Sequence, residues 1–393
     1  MVPEVTGSNP VGRPIFSPPH LYSYSRPVAL FRADRGPMMT AFWAEPDFDA
    51  HECVQMVHDR ASGLTAIIAI HSTHLGPSAG GTRFWHYNDP AGAMCDALRL
   101  SRGMSYKNAM AGLPMGGGKA VILADEQRIK TPEMLSAFGD AVEALGGRYV
   151  TAEDVGITEA DMVAVSQRTA HVSGLPVEGE GRAGGDPGPF TAFGIYLGIK
   201  AAVAHKLGTD SLAGVRVAVQ GTGSVGGGVA RLLAKDGAVL TLADINAARA
   251  AALADELGGV AVASDTIMNT PCDVFSPNAL GAILDDAGIA GLDCAIVAGG
   301  ANNQLARPEH GAQLAARGIL YAPDYVINAG GIISVATEYL ARREGRIGDI
   351  AEVDALVGQI PGRLTAIWRE SEASGVSADV VADRMAQKLI GRG

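Results

Sequence analysis

The stretch VRVAVQGTGSVGG, residues 215–227, decides the fold of the second half of the chain. Its valine-rich first half predicts a buried strand. Three glycines with the spacing G-x-G-x-x-G come next: Gly221, Gly223 and Gly226. At this spacing the first glycine permits a tight turn, the second lets a pyrophosphate approach the backbone, and the third lets helix and strand pack closely. We expect Ser224 and Val225 to open a helix whose free N–H groups face the phosphates. The stretch therefore predicts a dinucleotide site.

An acidic residue downstream extends this prediction. Asp244 closes the next predicted strand, about twenty residues beyond the turn. A carboxylate at this place accepts hydrogen bonds from the adenosine ribose and repels a 2′-phosphate, which favours NAD over NADP as the cofactor. The alternative is an accidental glycine turn, with Asp244 as an ordinary residue at the end of a strand.

Short apolar runs alternate with helical patterns along most of the chain. Upstream, residues 64–71 and 149–155 are predicted strands and residues 90–102 a predicted helix. Downstream, a helical stretch at 191–206 leads into the strand–turn–helix unit, and further strands follow. Such alternation predicts an α/β fold, with a parallel, doubly wound sheet after the glycine turn.

A loop rich in Gly and Pro, residues 178–189, is the best internal candidate for a domain boundary. We expect two domains with an active-site cleft between them. The N-terminal α/β substrate and oligomerisation domain covers 38–186 and is joined by a C-terminal helix at 367–393. The Rossmann-type, doubly wound NAD-binding domain covers 187–366. Residues 1–37 lack periodicity, and we expect a disordered or non-native extension there.

Composition excludes several classes of partner. The net charge is −11 and no long basic stripe occurs, so a nucleic-acid partner is not expected. No apolar run approaches the roughly eighteen residues of a membrane span. The four cysteines have no C-x-x-C spacing, so neither a zinc ribbon nor a disulfide framework is implied and a reduced, cytoplasmic setting fits: Cys53, Cys95, Cys272 and Cys294. His71, Thr73 and His74 have no acid or cysteine at ligand spacing, so no metal site is expected.

Two lysines flank an apolar, glycine-rich stretch, AMAGLPMGGG, at 109–118. The stretch is not a nucleotide P-loop, because Leu113 stands at the place of its first glycine and Ala120 at the place of its hydroxyl. Burial and mutual repulsion would lower the pKa of Lys107 or Lys119, and a lysine so tuned can act as a general acid or base. The alternative is that both are surface lysines beside a glycine turn.

Two acids, Glu153 and Asp154, are predicted to end the strand that begins at Tyr149. Adjacent strand residues face opposite ways, so only one of the two is expected to point into a cleft. The alternative is a helix cap or a solvent-facing ion pair.

From about Leu64 to the C-terminus, the chain resembles the glutamate, leucine, phenylalanine and valine dehydrogenases, most closely the leucine dehydrogenases. Six ordered blocks carry the resemblance: GPSAGGTRFW (76–85), YKNAMAGLPMGGGK (106–119), TAEDVG (151–156), VQGTGSVGG (219–227), GGANNQL (299–305) and APDYVINAGG (322–331). The resemblance implies an NAD-dependent L-amino-acid dehydrogenase that is a homo-oligomer and requires no metal. It also implies oxidation of the substrate amine to an iminium, which water converts to a 2-oxo acid and ammonia.

The resemblance also implies roles for individual residues. Lys107 would bind the substrate α-carboxylate, helped by the backbone of Gly80 and Gly81 and by Asn303. Lys119 would be the catalytic acid and base, and Asp154 would bind the amino group and relay protons. Two further positions would orient the nicotinamide carboxamide: Thr191 and Asn328.

Three positions bear on which amino acid is used. Glutamate-specific members carry a lysine where this chain has Ala79 and a serine where it has Val335, so glutamate is a poor candidate. Ala152 and Val335 match the leucine-enzyme pattern, while the small Ala79 enlarges the pocket. We expect Leu, Val and Ile as the best substrates, with some activity on larger side chains. A phenylalanine or broad-specificity dehydrogenase is the alternative.

Two other classes remain open at this stage. A non-catalytic NAD-sensing protein could keep the same fold, although Lys107, Lys119 and Asp154 are all present. A folate- or shikimate-type dehydrogenase could share the nucleotide-binding domain, but it would leave the GGGK and TAEDVG blocks unexplained.

Overall fold

The first five strands form one mixed sheet, which we call the first-lobe sheet. The computed structural model describes residues 42–177, 179 and 181–393, so the predicted extension at 1–37 lies outside the described residues. The strands stand in the order β1-β2-β4-β3-β5. The elements are β1 (Cys53–Asp59), β2 (Leu64–Ser72), β3 (Ser78–Trp85), α1 (Pro90–Met110), β4 (Gly116–Leu123), α2 (Pro132–Glu143), β5 (Tyr149–Ala152) and α3 (Glu159–Ser166). Strand β2 pairs antiparallel with both β1 and β4, and β3 pairs parallel with both β4 and β5. Consequently β3, β4 and β5 end at the same edge.

Helices cover both faces of this sheet, which explains the nearly continuous apolar sequence of β2. Ile67 and Ala69 pack in one cluster with residues of α1, while Ile68 and Ile70 pack in another with residues of α2 and α3. Successive strand residues point to opposite faces, so an apolar residue is needed at every position.

The next six strands form a fully parallel sheet, the second-lobe sheet, in the order β11-β10-β9-β6-β7-β8. Its elements are α4 (Gly188–Leu207), β6 (Arg216–Gln220), α5 (Ser224–Lys235), β7 (Val239–Ala243), α6 (Ala247–Leu257), β8 (Val260–Ala261), β9 (Val274–Pro277), α7 (Asp286–Gly291), β10 (Ile296–Val297), α8 (Glu309–Ala316) and β11 (Leu320–Tyr321). The chain reverses its winding between β6 and β9, where ligands bind in such sheets. The prediction of a Rossmann-type, doubly wound sheet is confirmed.

Five further helices complete the described chain: α9 (Asp324–Ile327), α10 (Gly330–Arg343), α11 (Ile350–Val357), α12 (Ile360–Ser374) and α13 (Ala378–Leu389). The predicted boundary at 366–367 falls inside the continuous helix α12. Helix α13 packs against α1 of the first lobe and against α8 and α12 of the second. Its Gln387 amide donates a hydrogen bond to the Tyr106 hydroxyl at 2.9 Å.

The C-terminal end of the chain is fastened to the first lobe. The Arg392 guanidinium donates hydrogen bonds to the backbone carbonyls of Asp49, Ala50 and His71 at 2.6, 3.0 and 2.7 Å. These bonds also satisfy carbonyls at the start of the first-lobe sheet.

Three predicted boundaries differ from the structure. Helix α1 extends to Met110 rather than 102, so Lys107 lies in its last turn. Helix α4 begins at Gly188, inside the predicted loop, of which residues 178 and 180 lie outside the described residues. Strand β5 ends at Ala152, so Glu153 and Asp154 follow the strand instead of ending it. The backbone turns there, because the Ile157 N–H donates to the Asp154 carbonyl at 2.9 Å.

No helix in the described part of the chain is long and apolar enough to cross a membrane.

Candidate active site

Three glycines at the start of β4 bring the two lysines together. A side chain on Gly117 would overlap the backbone nitrogen of Ser105 in α1, and one on Gly116 would overlap the carbonyl of Ser72 in β2. Helix α1 therefore lies directly on β4. The Asn108 amide fastens the helix end by donating to the carbonyls of Gly116 at 2.6 Å and Ala79 at 3.3 Å. The GGGK block thus permits a close helix–strand approach.

Lys119 lies on β4 with only 6% of its surface exposed. Its ammonium donates a hydrogen bond to a carboxylate oxygen of Asp154 at 2.5 Å. Burial lowers the pKa of Lys119, and the charge of Asp154 opposes part of this shift. The ammonium can therefore lose its proton more readily than that of an ordinary lysine.

Asp154 is held between two cations. Beside Lys119, the Nε of Arg83 on β3 lies 3.5 Å from the same carboxylate oxygen. Burial acts to raise the pKa of Asp154, but the two cations outweigh it and hold the pKa below its usual value. For the neighbouring Glu153, burial and the charges of Glu159 and Asp186 raise the pKa. That only one of the two acids enters the cleft stays a prediction.

Lys107 reaches the same region from the last turn of α1. Burial lowers its pKa to about 8, with the charge of Lys119 acting in the same direction and that of Asp324 opposing it. Burial thus lowers the pKa of both lysines. The surface-lysine alternative is wrong for Lys119, and Lys107 is partly buried.

The acid beside Lys107 is a residue that sequence reasoning missed. Asp324 lies three residues after Tyr321, the last residue of β11, and α9 begins with it. Its carboxylate accepts the backbone N–H groups of Gln304 at 3.0 Å and Tyr325 at 2.6 Å. Burial raises its pKa, and those N–H groups and Lys107 oppose the rise. Asp324 anchors the turn that holds Asn303, which adopts a left-handed backbone with φ of 50°. The sequence signal that could have revealed Asp324 is an acid shortly after a parallel strand. Arg83, inside GPSAGGTRFW, was also missed.

The backbone of β3 lies against this cluster. A side chain on Gly80 would overlap the Gly118 carbonyl, and one on Gly81 would overlap the Glu153 carbonyl. Gly81 pairs with Ala152 of β5, and Ala79 pairs with Gly117 of β4. Thus β3 places Ala79, Gly80 and Gly81 between two strands. These are β4, which carries Lys119, and β5, which Asp154 follows. Val335 lies on α10, where a side chain on Gly174 would contact it at 3.5 Å.

The glycine turn after β6 has the geometry of a dinucleotide site. Gly221 has φ of 89°, which favours glycine, and a side chain on Gly226 would overlap the Gly221 carbonyl. A side chain on Gly223 would meet nothing within 4 Å, so the backbone there is open to a ligand. Helix α5 begins at Ser224 and continues through Val225. Its N-terminus therefore directly follows the open position at Gly223.

Asp244 forms hydrogen bonds and an ion pair within the protein that the sequence did not predict. Its carboxylate accepts the backbone N–H of Thr222 at 2.7 Å and that of Asn246 at 2.8 Å. The Arg249 guanidinium contacts both oxygens at 2.7 and 2.8 Å. Burial acts to raise the pKa of Asp244, but these hydrogen bonds lower it to about 2. The residue is an anchored anion, and Arg249 places a half-exposed cation beside it.

Thr191 lies on α4, and Asn328 directly follows α9, which packs against α4. A side chain on Gly331, at the start of α10, would contact the Thr191 hydroxyl at 2.6 Å. The Asn328 amide donates to the Gly300 carbonyl at 3.1 Å and to the Asn302 side chain at 2.9 Å. Its buried oxygen has no hydrogen-bond partner among the described residues. A free buried acceptor fits the amide N–H of a bound ligand.

His71, considered above as a metal ligand, is part of a buried hydrogen-bond network. Its ring nitrogens contact the Ser105 hydroxyl at 2.8 Å and the Asp49 carboxylate at 3.0 Å. In the described part of the chain, no group of three or more His, Cys, Asp or Glu side chains is placed to hold a metal ion.

A Rossmann-type lobe and a buried Lys–Asp pair define the class of this protein as a dehydrogenase. Comparison with known proteins gives the family. Residues 48–171 match the dimerisation domain of the Glu/Leu/Phe/Val dehydrogenases, and residues 249–388 match the glutamate/leucine/phenylalanine/valine dehydrogenase family. The chain belongs to this family and is an amino-acid dehydrogenase. The resemblance inferred from the sequence is confirmed, and a Rossmann-type lobe in such an enzyme implies a nicotinamide cofactor.

Similar individual proteins support this placement. Leucine dehydrogenase of Bacillus subtilis is 46% identical over 343 residues, covering 87% of this chain and 92% of the relative. Valine dehydrogenase of Streptomyces virginiae is 44% identical over 362 residues, covering 91% and 98%. The crystal structure of L-tryptophan dehydrogenase from Nostoc punctiforme superposes with a TM-score of 0.76 at 41% identity, covering 87% and 96%.

Proposed function

We propose that this chain catalyses the reversible, NAD-dependent oxidative deamination of the branched-chain L-amino acids Leu, Val and Ile to their 2-oxo acids and ammonia. The observation that carries the proposal is the buried Lys119–Asp154 ion pair at 2.5 Å, with Lys107 on the facing helix. Relatives named leucine and valine dehydrogenases support the substrate class.

Lys107 is proposed to bind the substrate α-carboxylate. It is a partly buried residue whose pKa is raised by the charge of Asp324, and Asn303 lies on the turn that Asp324 anchors. The backbone of Gly80 and Gly81 lies near, because β3 pairs with the two strands that frame the pocket. A substrate α-carboxylate that binds here would pair with the Lys107 ammonium. The Asp324 carboxylate would keep its hydrogen bonds to the backbone.

Lys119 and Asp154 are proposed to move the protons. A bound nicotinamide ring supplies the acceptor for the hydride of the substrate Cα. Asp154 binds the substrate amino group and takes up its proton, so that the amine is neutral when the C–H bond breaks. Lys119 in its neutral form removes a proton from the water that attacks the iminium carbon. The carbinolamine then collapses: Asp154 returns a proton to the nitrogen, the C–N bond breaks, and the departing ammonia takes up the hydroxyl proton, which gives the 2-oxo acid and ammonium.

The Lys119–Asp154 coupling predicts a shift in the pH dependence of turnover. Because the charge of Asp154 raises the pKa of Lys119, the substitution Asp154→Asn lowers that pKa further. The neutral lysine exists above its pKa, so the rising limb of kcat against pH should move to lower pH in the residual activity of D154N. Profiles over the neutral and alkaline range test this.

Glu153→Gln is the matched control for that profile. Glu153 is the neighbouring acid but does not contact Lys119. The rising limb of kcat against pH should therefore lie at the same pH in E153Q as in the unmodified protein. A limb in D154N that is unchanged or moves to higher pH would contradict the assignment of Lys119 as the base.

The substrate side chain is proposed to lie against Ala79, Ala152 and Val335. All three are buried and apolar, with exposures of 2, 8 and 7%. A buried carboxylate without a cation is strongly disfavoured, whereas a methylene more or less changes affinity by about 1–3 kcal/mol. The pocket therefore favours aliphatic side chains over that of glutamate.

The substrate profile provides the test. We expect kcat/KM for Leu, Val and Ile to exceed that for Phe, and that for glutamate to be lowest, by at least about 10²-fold relative to Leu. Glutamine separates charge from length, since it has the shape of glutamate without the charge, and it should be a better substrate than glutamate. An optimum at glutamate or phenylalanine would overturn the assignment.

A broad-specificity or aromatic amino-acid dehydrogenase is the second candidate. The observations that favour it are the small Ala79 and the 41% identity to a structure titled as an L-tryptophan dehydrogenase. The same profile decides between the two, because a broad enzyme would accept Phe and Trp as well as Leu.

NAD is the proposed cofactor. Residues that fit it are the open turn at Gly223, the N-terminus of α5, and the buried, unpaired oxygen of Asn328, which can accept the carboxamide N–H with Thr191 beside it. Asp244 is an anchored anion at the ribose position and disfavours a 2′-phosphate.

Arg249 is predicted to weaken this preference. Its guanidinium occupies lone pairs of Asp244 and places a positive charge where a 2′-phosphate would lie. Arg249→Ala should therefore raise the ratio of kcat/KM for NAD to that for NADP by about threefold to tenfold. Arg231→Ala, which removes an exposed Arg–Glu ion pair elsewhere in the same lobe, should leave the ratio unchanged. A lower ratio in R249A would refute this role.

A homo-oligomer is also proposed, supported by the match of residues 48–171 to a domain described as a dimerisation domain. Light scattering on the purified protein gives its mass in solution. A monomer would contradict the proposal.

A further inference from the structure

Two cysteines that are 22 residues apart in the sequence become neighbours in the second-lobe sheet. Strands β9 and β10 are parallel, and Val274 pairs with Ile296. The same register, carried two residues back, places Cys272 opposite Cys294. The backbone supports this placement, because the Cys272 N–H donates to the carbonyl of Asp293 at 3.0 Å.

This register brings the two thiols within reach of each other. Neighbouring strands are about 4.8 Å apart, and opposite residues point to the same face. Disulfides form between residues whose Cα atoms are about 4.4–6.8 Å apart. Both sulfur atoms belong to one apolar cluster with Phe275 and Leu292, which limits the directions in which either side chain can turn. The strands thus hold the pair in a geometry that a disulfide can bridge.

The two thiols differ in their surroundings. Cys272 is buried, whereas Cys294 is partly exposed. The Cys272 thiol donates towards Cys294 and thereby lowers the pKa of Cys294, with the Arg317 charge in the same direction. The same contact and burial raise the pKa of Cys272. A partly exposed thiolate beside a second thiol is the arrangement found at reversibly oxidised cysteines.

We propose that Cys272 and Cys294 form a dithiol that hydroperoxides oxidise reversibly to a disulfide. The Cys294 thiolate attacks the O–O bond of the hydroperoxide and becomes a sulfenic acid, and the alcohol or water leaves after taking up a proton. The Cys272 sulfur then attacks the sulfenic sulfur, its proton combines with the departing hydroxyl, and water leaves. In total, two thiols and one hydroperoxide give one disulfide, one molecule of alcohol or water from the first step and one molecule of water from the second.

The other two cysteines provide an internal comparison. Cys53 lies on β1 opposite Ile70, and Cys95 lies on α1, where its thiol donates towards Glu45 at 3.8 Å. Burial and Glu45 raise the pKa of Cys95. Neither residue has a cysteine opposite it in the described sheet or helix.

The experiment uses the full chain without substrate or cofactor, so that its outcome is independent of the proposed activity. After brief exposure to about equimolar hydrogen peroxide, we expect free thiols, titrated in denaturant, to fall from four to two. Peptide mass spectrometry should find residues 272 and 294 joined, with a loss of about 2 Da, and dithiothreitol should restore both thiols.

Two variants make this result specific. The variant with Cys53→Ser and Cys95→Ser should lose both of its remaining thiols to the same bridge. Cys272→Ser should instead gain oxygen or an added thiol reagent at Cys294, without the bridge. The proposal is wrong if peroxide joins other cysteines, or if wild-type Cys294 accumulates as sulfinic acid while Cys272 stays reduced.

Discussion

Replacing Lys119 by methionine should lower kcat for leucine oxidation by roughly 10²- to 10⁴-fold, the usual contribution of a positioned general acid and base. Methionine keeps most of the lysine side-chain volume, so the packing of β4 against α1 is retained. The substitution removes the ammonium that lies 2.5 Å from Asp154. Arg83 remains 3.5 Å from that carboxylate, which therefore stays charged and paired. The loss should thus appear in the chemical step.

Steady-state kinetics at several pH values, with NADH binding followed by fluorescence, would measure this effect. Lys200→Met is the matched control, because Lys200 forms an ion pair with Asp236 at the surface of the second lobe. The Lys200→Met variant should have the same kcat as the unmodified protein. The proposed mechanism fails if K119M folds, binds NADH and retains its turnover.

Replacing Lys107 by methionine should act chiefly on substrate binding. An α-carboxylate that enters this region would then be buried without its cation, which costs about 3–5 kcal/mol. This corresponds to roughly a 10²- to 4 × 10³-fold loss in kcat/KM. The neighbouring Asp324 also loses its counter-charge, so its pKa should rise further. An uncharged Asp324 repels the substrate less but cannot replace the missing ammonium.

The contrast between the two lysines is the informative measurement. In K107M most of the loss should lie in KM for the amino acid, and in K119M most should lie in kcat. NADH affinity should be the same in K107M and K119M, since Lys107 lies on α1 and Lys119 on β4, outside the second-lobe sheet. Lys200→Met should bind NADH as the unmodified protein does. Equal losses in kcat with unchanged KM would show that Lys107 does not hold the carboxylate.

The sequence predicted the nucleotide-binding unit well because that unit is local. The strand, the turn and the helix at 215–235 are contiguous, and each glycine has a steric reason that can be stated from spacing alone. The length of α1 was underestimated, since the small and polar residues after 102 hide its pattern. Strand β5 was overestimated, because a turn held by the Ile157 N–H ends it before the acids.

Residue patterns in the sequence predicted the candidate site less well than the nucleotide-binding unit. The Lys119–Asp154 pair joins residues 35 positions apart through the order of β4, β3 and β5, which no periodicity reveals. Their roles came from the resemblance to a family. Asp324 and Arg249 were missed for the same reason, because each acquires its partner only after packing. The cysteine pair also depends on strand register.

The hydrogen bonds of Arg392 affect how the protein is made. This residue binds backbone carbonyls that precede it by 321 to 343 residues in the sequence. The ribosome therefore adds Arg392 long after the first-lobe sheet, which lacks these contacts while the second-lobe sheet is being made. During synthesis, the region that carries Lys107 and Lys119 emerges long before α13, which later covers the outer side of α1. A nascent chain therefore has an exposed helix face for most of its synthesis.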